Sequence, residues 1–324
     1  MMNRTAESLF WIGRYLERVE NHTRLMDVNY HMRHELKGND RDEPEYMWER
    51  LVAAIGDISL FKQQYHMVKE TSVLHFLMFD RSHNNSIFSC IRQARQNIRS
   101  LRQLLPGELW EIANAFYLWI SEQDMEKVML RSPHSFYQRV REWVALFNGV
   151  ADSTMIRERE WHFIQSGKHL ERAENTLRVL QSVYTTLNRE GSVLTSSDIY
   201  NRMIILLKSV SGYEAFRKFY ADEVICSKVT KFMMLNTGFP RSVMFAATSL
   251  GASLTAIQSQ DYQFESLLNE SKAITEELRE TLTRCNNGLS QRDILEEIGS
   301  MLLLCDQLGY AISKTFFQEE FVEA

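Results

Sequence analysis

The sequence contains few of the residues that interrupt helices. It has four prolines and 13 glycines among its 324 residues. Proline lacks a backbone donor and glycine lowers helix propensity, so their scarcity leaves room for long, uninterrupted helices. No segment shows the alternation of β-branched residues, bounded by turns, that is typical of a strand. These absences favour an all-α protein.

Features of secreted and membrane proteins are also lacking. None of the four cysteines forms a Cys-x-x-Cys pair, and dispersed cysteines in such a chain indicate buried thiols in a reducing compartment. The first residues do not combine a basic segment, an apolar run and a cleavage site. No apolar run approaches the roughly 18 residues of a membrane span. We therefore expect a cytoplasmic protein with no membrane partner.

Charge and motif content narrow the possible activities. The formal net charge is −5, which disfavours nucleic-acid binding because that needs a basic face. The sequence contains no Walker loop, no Gly-x-Gly-x-x-Gly after a strand, no His-Glu-x-x-His and no Gly-x-Ser-x-Gly. A non-catalytic protein is therefore favoured over an enzyme. We expect no cofactor and no nucleic-acid partner, and any catalytic residues stay unidentified.

The sequence contains one predicted helical segment that occurs twice. Residues 13–24 match residues 167–178 at seven of twelve positions. Residues 73–86 align without gaps to residues 229–242, at nearly the same offset. Self-similarity at a fixed offset indicates a duplicated supersecondary unit. We predict that a helix starts near the end of each longer segment, near Ser86 in the first and at Pro240 in the second.

Helical periodicity extends this prediction to the whole chain. Apolar residues at spacings of three and four predict a first helix from about Thr5 to Lys37 and a matching helix over about 157–187. Because duplication often places equivalent elements about an axis, we expect these two helices to pack centrally. The predicted architecture is an all-α helical bundle with internal pseudo-two-fold duplication. Its first repeat unit covers residues 1–150 and its second covers residues 151–324, around one shared core.

Several of these segments resemble a known family. Residues 4–21, which include Glu17-Arg18, resemble the signature opening of the bacterial alpha-E domain proteins, an all-helical family with a characteristic Glu-Arg motif. Residues 85–95, 161–174 and 240–243 resemble the same family, although Glu160 stands where a glycine is usual. The resemblance implies a helical protein of no settled activity. It also implies two partners, an ATP-grasp-type amide ligase and a transglutaminase-like protein, because the genes of such proteins are commonly neighbours or fused.

The two repeated segments carry the same polar residues on one helical stripe. Glu20–Arg24 and Glu174–Arg178 are i,i+4 pairs, each worth roughly 0.2–0.5 kcal/mol when exposed. That is too little to explain why both copies keep the whole set, so we expect partly buried groups, where an unpaired charge costs several kcal/mol. The candidate polar network or cleft consists of Glu17, Arg18, Glu20, Asn21, Arg24, Glu171, Arg172, Glu174, Asn175 and Arg178.

Three interpretations of this set stay open. The first is a buried salt-bridge network that locks the two half-bundles together. The second is a polar cleft that binds a substrate carboxylate or amine through Arg18, Arg172 and the Glu residues. The third is a carboxylate di-metal site, which is disfavoured because no histidine stands at the ligand offset and the arginines oppose a cation. We therefore expect no metal.

Two further groups have the spacing of a binding site. Four arginines at spacings of three, four and three form a basic stripe that could bind phosphate, an acidic peptide or an acidic partner. A solvated face, or pairing with glutamates, is the alternative. His31 and His34 could share a ligand, but no third ligand is evident, which favours a solvated helix end. The arginines of the stripe are Arg92, Arg95, Arg99 and Arg102.

Two functions are consistent with these observations. The first is an accessory helical protein that acts with an ATP-grasp-type amide ligase in peptide synthesis or modification, by binding the peptide or the ligase. The alternative is an enzyme of amide or peptide chemistry that uses the Glu-Arg cleft. In that case Glu17 and Glu171 would be the acid/base groups. Arg18 and Arg172 would then hold a carboxylate of the substrate.

Overall fold

The computed structural model describes residues 2–35, 44–55, 58–190, 194–221, 223–257, 262–285 and 291–316. These residues form fifteen helices and no strand, which confirms the predicted all-α class. In chain order the helices are α1 (Met2–Glu35), α2 (Pro44–Ile55), α3 (Ile58–Gln64), α4 (Glu70–Met78), α5 (Ile87–Ser100), α6 (Gly107–Ser121), α7 (Met125–Arg131), α8 (Pro133–Thr154), α9 (Arg159–Glu190), α10 (Ser196–Ser209), α11 (Tyr213–Tyr220), α12 (Cys226–Leu235), α13 (Val243–Ala256), α14 (Tyr262–Arg284) and α15 (Gln291–Phe316).

Two long helices, α1 and α9, lie side by side at the centre of the bundle. α5 and α8 pack on α1, whereas α13 and α15 pack on α9. The two central helices run in the same direction. Gly13 lies against Ile164 and Lys168, and further along α1 Leu25 lines a cavity together with Val179. The two helices that contain the repeated segments, which we expected to pack centrally, are therefore neighbours at the centre of the bundle.

Two glycines let α1 and α9 touch backbone to backbone. A Cβ atom on Gly13 would lie 2.0 Å from the carbonyl oxygen of Ile164. A Cβ atom on Gly167 would lie 2.0 Å from the carbonyl oxygen of Phe10. Only glycine fits at such a close approach between backbones. The contact is reciprocal, and it sets the register at which the polar residues one turn later meet.

Two of the helices that cover the central pair, α5 and α13, begin in the same way. The Ser86 side chain caps α5 by accepting from a backbone N–H of its first turn, and it donates to the carbonyl oxygen of Asp80. The Ser242 side chain caps α13 and donates to the carbonyl oxygen of Asn236. A serine cap satisfies a donor that the helix end leaves unpaired. In both cases the residue before the serine reaches the central helices.

One contiguous core joins both predicted repeat units. Buried apolar side chains on either side of position 150 belong to the same cluster. α8 runs across that position and ends at Thr154, so the predicted units 1–150 and 151–324 meet within a helix. α1 begins at Met2 rather than near Thr5, and Lys37 lies outside the described residues. No helix in the described part of the chain has the length and apolar character to cross a membrane.

Candidate functional site

The Glu-Arg dipeptides of α1 and α9 exchange partners. Adjacent residues on a helix do not face each other. Arg172 instead binds Glu17, with Nε–Oε1 and Nη2–Oε2 distances of 2.8 and 2.6 Å. Arg18 binds Glu171 in the same two-pronged way, at 2.7 and 2.8 Å. Such paired, charged hydrogen bonds are among the strong ones in proteins, so the same chemistry links the two helices twice.

Two arginines that the sequence prediction omitted complete these ion pairs. Arg14 lies 2.7 Å from Glu171 through Nε and 2.7 Å from Glu174 through Nη1. Arg241, the residue before the serine cap of α13, lies 3.1 Å from Glu17. A signal for Arg14 was present, because a basic residue also stands at the equivalent position of the second segment. Arg241 lies in a segment, residues 240–243, that resembles the family, but its pairing with Glu17 was not predicted, since only the fold brings the start of α13 to α1.

The outer ends of the network contain both i,i+4 pairs that the sequence predicts. Glu20 binds Arg24 on the same helix, and it also lies 2.7 Å from Arg241. Glu174 faces Arg178 at the longer distance of 3.6 Å. Arg241 therefore bridges two turns of α1, whereas the ion pair of Arg178 with Glu174 is long and weak.

Burial and pairing determine the charge state of the central carboxylates. Glu17 and Glu171 are each 2% exposed. Burial alone would raise the pKa of Glu17, but Arg172 and Arg241 outweigh it and hold that pKa well below its usual range. Burial likewise opposes the effect of Arg18 on Glu171, whose pKa falls to about 2. Both groups are ionised at neutral pH, and such weakly basic carboxylates are poor proton acceptors.

Positive charge exceeds negative charge in the network. Four carboxylates are surrounded by six guanidinium groups, all of which keep their charge at neutral pH. A surplus of positive charge near a water-filled opening raises the local concentration of anions. The members are Glu17, Glu20, Glu171 and Glu174 with Arg14, Arg18, Arg24, Arg172, Arg178 and Arg241.

A cavity of 410 Å³ opens beside the Glu171 end of the network. The side chain of Arg178 is 43% exposed at its wall. The buried side-chain nitrogen of Asn175 has no hydrogen-bond partner among the described residues. The equivalent residue in α1, Asn21, is buried and does not line the cavity. The cavity therefore lies beside the network, and Arg172, through which the predicted cleft would bind, does not line it. The cavity is lined by Arg18, Ile55, Ile58, Ser59, Asn85, Glu171, Glu174, Asn175 and Arg178.

Three arginines of the stripe lie on α5, Arg102 follows the C-cap of that helix, and the stripe is partly engaged in packing. Arg95 donates to the side chain of Asn114 at 2.9 Å and stacks over Trp110, with its guanidinium carbon 5.2 Å from the ring centre. Arg102 stacks over the same ring at 4.6 Å. Arg92 is half-buried and Arg99 is exposed. Cation–π contacts therefore account for two of the four arginines, and the structure does not bring the stripe to the cavity.

The structure gives His31 partners that the sequence did not suggest. Its ring lies beside Asp27, one turn earlier in α1, and beside His134 at the start of α8. The side chain of His34 lies outside the described residues. His134 was missed because it is 103 residues away in the chain, and no sequence spacing reports on such a contact.

Comparisons with known proteins agree with the helical assignment. The family model that matches residues 1–317 describes a predicted alpha-helical domain with a conserved ER motif. The chain is 25% identical over 269 residues to an uncharacterised protein of Mycobacterium bovis, and 24% identical to one of Mycobacterium tuberculosis. Each alignment covers 78% of this chain and 29% of the relative, so the chain spans less than a third of those relatives. No solved structure matches the chain.

Proposed function

Because the chain belongs to the Alpha-E family, whose model matches residues 1–317, we propose that it is an accessory helical protein of peptide synthesis or modification. In this proposal it acts with an ATP-grasp-type amide ligase and binds a carboxylate of the ligase's peptide in the cavity beside the Glu-Arg network. The ligase, and a transglutaminase-like protein as a further partner, enter the proposal from the family resemblance. The side chains of the cavity are the reason for proposing a carboxylate as the bound group.

The exposed guanidinium group of Arg178 on the cavity wall carries this proposal, since the wall itself contains two arginines and two glutamates and the surplus of positive charge belongs to the network as a whole. Arg178 is half-exposed and has a long ion pair of 3.6 Å, so a bound carboxylate can approach it without breaking a short one. Asn175 lines the same wall, and its buried side-chain nitrogen has no hydrogen-bond partner among the described residues. A guanidinium group and an amide N–H together offer the hydrogen bonds that a carboxylate oxygen accepts. Binding an anion there would also reduce the charge imbalance of the network.

A second cavity supplies room for the rest of a peptide. It has a volume of 570 Å³ and shares Ile58 and Arg178 with the first. Its wall offers the polar side chains of Gln181 and Thr185 together with the apolar side chain of Leu302. An extended peptide with its carboxylate at Arg178 would place its other residues along this surface. Mixed polar and apolar walls of this kind are common in ligand sites.

The enzyme alternative has less support from the geometry. An acid/base group needs a pKa near the working pH. The pKa of Glu17 is held well below its usual range by Arg172 and Arg241 against the effect of burial, and Glu171 is similarly held by Arg18. Both carboxylates are also committed to two-pronged ion pairs. Their arrangement suits a fixed electrostatic frame better than a proton transfer.

We also propose that the network arose by an internal pseudo-two-fold duplication of the chain. Three features support it: the reciprocal contacts of Gly13 and Gly167, the exchanged Glu-Arg partners, and the similar serine caps of α5 and α13. Positions that differ between the copies would then create the one-sided cavity. Asn85 accepts from Arg18 at the cavity, whereas Arg241, at the equivalent position, pairs with glutamates instead.

The proposal predicts that Arg178 is needed for peptide capture. We expect affinity purification from the native cells to retain an amide ligase and a peptide with wild-type protein. The Arg178→Gln variant should lose the peptide. The captured peptide, resynthesised with a free carboxylate and as its amide, should bind wild-type protein at least about tenfold more tightly in the free form, since a charged hydrogen bond contributes roughly 1.5–3 kcal/mol. Mass spectrometry and calorimetry give the two readouts.

Arg139→Gln is the matched control. Arg139 is an arginine on α8 with half of its side chain exposed and an ion pair to a residue of its own helix. This variant should retain the ligase and the peptide as wild-type protein does. Equal affinity for the carboxylate and amide forms, or retention of the peptide by Arg178→Gln, would contradict the carboxylate site. Recovery of neither ligase nor peptide with wild-type protein would contradict the accessory role.

A further inference from the structure

Three side chains with metal-binding atoms converge further along α1. Asp27 and His31 are four residues apart, so they lie on one face of the helix. His134, the second residue of α8, approaches the same face. One oxygen of Asp27 and one ring nitrogen of each histidine all lie within 4.8 Å of one another. Among the described residues, this is the one group of three or more such side chains with that geometry.

The distances between the three donor atoms match those around a single small metal ion. Asp27 Oδ1 lies 2.8 Å from His134 Nδ1 and 3.3 Å from His31 Nε2, and the two ring nitrogens are 3.1 Å apart. In a tetrahedral zinc site with bonds of about 2.0–2.1 Å, neighbouring ligand atoms are about 3.3 Å apart. An ion equidistant from all three donors would stand about 1 Å out of their plane.

We propose that Asp27, His31 and His134 bind a divalent transition-metal ion, with zinc as the best fit. Two imidazole nitrogens and one carboxylate oxygen are ligands that zinc accepts readily. Such a site has three protein ligands, which leaves a fourth position for water or a ligand. The proposal does not depend on the carboxylate cavity, because it uses different residues and a different ligand chemistry.

Arg141 supports the ligand geometry from outside. Its Nη1 atom donates to the other oxygen of Asp27, Oδ2, at 2.8 Å. This bond orients the carboxylate so that Oδ1 faces the two histidines. Outer partners of this kind commonly hold a metal-binding carboxylate or histidine in position. Asp27 is buried, so its direction is set by the fold rather than by the solvent.

Hydrogen bonding alone fits the cluster less well. A neutral histidine carries one ring proton, and each ring here points one nitrogen toward Asp27 Oδ1. If both nitrogens donated to that oxygen, their two N–H groups would crowd each other at 3.1 Å. A metal ion accepts a lone pair from all three atoms and removes this conflict. The open position faces solvent, because the side chains of His31 and His134 are 55% and 44% exposed.

A zinc titration of chelator-treated protein tests the site. We expect one zinc ion per chain by calorimetry, and a tetrahedral visible spectrum when cobalt(II) replaces zinc. His31→Ala should weaken zinc binding by at least about tenfold. Mutating a residue that only supports a metal ligand already weakens binding about tenfold, and losing a ligand should weaken it at least as much. This variant should keep its fold, because the side chain is more than half exposed. His134→Ala should give the same loss.

His66→Ala is the matched control, because His66 is an exposed histidine outside the cluster. It should bind one zinc ion as tightly as wild-type protein, and circular dichroism should show the same helix content in all variants. Zinc that binds equally to wild-type protein, His31→Ala and His134→Ala would be held elsewhere, for instance by cysteine thiols, and would overturn the proposal. Failure of wild-type protein to bind zinc or cobalt would also overturn it.

Discussion

At the scale of single residues, buried ionisable groups make folding depend on pH. His22 and His169 are buried, and burial together with a nearby arginine lowers the pKa of each to about 3. Glu17 and Glu171 are buried too, but arginines stabilise their ionised forms against the effect of burial. In an unfolded chain, histidine titrates near 6.5 and glutamate near 4.3. All four groups therefore hold their protons more weakly in the folded protein.

We predict that stability falls in two steps as the pH is lowered. Stability falls wherever the unfolded chain binds more protons than the folded one. Between about pH 6 and 5, His22 and His169 should contribute a slope of up to about two protons, each about 1.4 kcal/mol per pH unit. Below about pH 4, Glu17 and Glu171 should raise the slope to about three protons, because His22 and His169 begin to bind protons in the folded protein as the pH approaches 3. Urea unfolding at a series of pH values measures it.

A histidine variant separates the first step from the second. His169→Gln removes one titrating group, so the slope between pH 6 and 5 should fall by about one proton, while the increase in slope that Glu17 and Glu171 cause below pH 4 stays the same. A free energy of unfolding that is constant from pH 6.5 to 4.5 would show that the buried histidines take up protons in the folded state.

At the scale of helices, the glycine contact between α1 and α9 decides where the polar residues meet. Each glycine sits one turn before a Glu-Arg dipeptide, so close packing of the backbones brings both dipeptides to the interface. Moving the helices apart would lengthen ion pairs that are now 2.6–2.8 Å long. A buried charge that loses its partner costs several kcal/mol. Steric fit and electrostatics therefore depend on the same pair of small residues.

We predict that Gly13→Ala strongly destabilises the protein. The added Cβ atom would lie 2.0 Å from a backbone oxygen of α9, so the two helices would have to separate. We expect a loss of about 3 kcal/mol or more in the free energy of unfolding, the upper range for overpacking in a core. Urea unfolding followed by circular dichroism measures this loss.

Gly149→Ala is the matched control within a helix. An added Cβ atom at Gly149 meets nothing within 4 Å. It should stabilise α8 by up to about 1 kcal/mol, because alanine has the higher helix propensity. If both substitutions changed stability by the same small amount, the close approach of α1 and α9 would be disproved.

At the scale of the whole molecule, the two predicted repeat units share their core and their central ion pairs. α1 belongs to the first unit and α9 to the second, and each supplies charges that the other needs. α8 crosses the boundary between the units without interruption. Separating the units would expose apolar surface and leave buried charges unpaired, which both oppose folding. This arrangement favours cooperative unfolding of the entire chain.

We predict that one unfolding transition is observed whichever half of the chain is probed. Tryptophan fluorescence reports mainly on residues 1–150, because five of the six tryptophans lie there, whereas circular dichroism reports on helices throughout. The two signals should give the same urea midpoint and slope, as a two-state transition requires. Separate midpoints would instead show that the units unfold independently. The tryptophans are Trp11, Trp48, Trp110, Trp119, Trp143 and Trp161.

Much of the local structure follows from the sequence itself. The scarcity of proline, the apolar spacing and the repeated segments were enough to predict an all-α chain and its two long related helices. The same repeat identified Glu17, Arg18, Glu171 and Arg172 as members of one polar set. These features depend on residues that are close in the chain, where helical geometry converts spacing into direction. The duplication and the division into two units stay predictions.

Only the tertiary structure decided which of these groups meet. Arg14 and Glu174 are 160 residues apart, Arg241 and Glu17 are 224 apart, and His134 is 103 residues from His31. Contacts over such distances depend on how the helices pack, and the spacing of residues along one helix carries no information about its neighbours. The same holds for the cavity beside the network, whose wall is built from α1, α2, α3, α9 and the residue before the cap of α5. The sequence by itself determined the helices and their charged stripe, whereas packing determined the partners of each charge and the openings beside them.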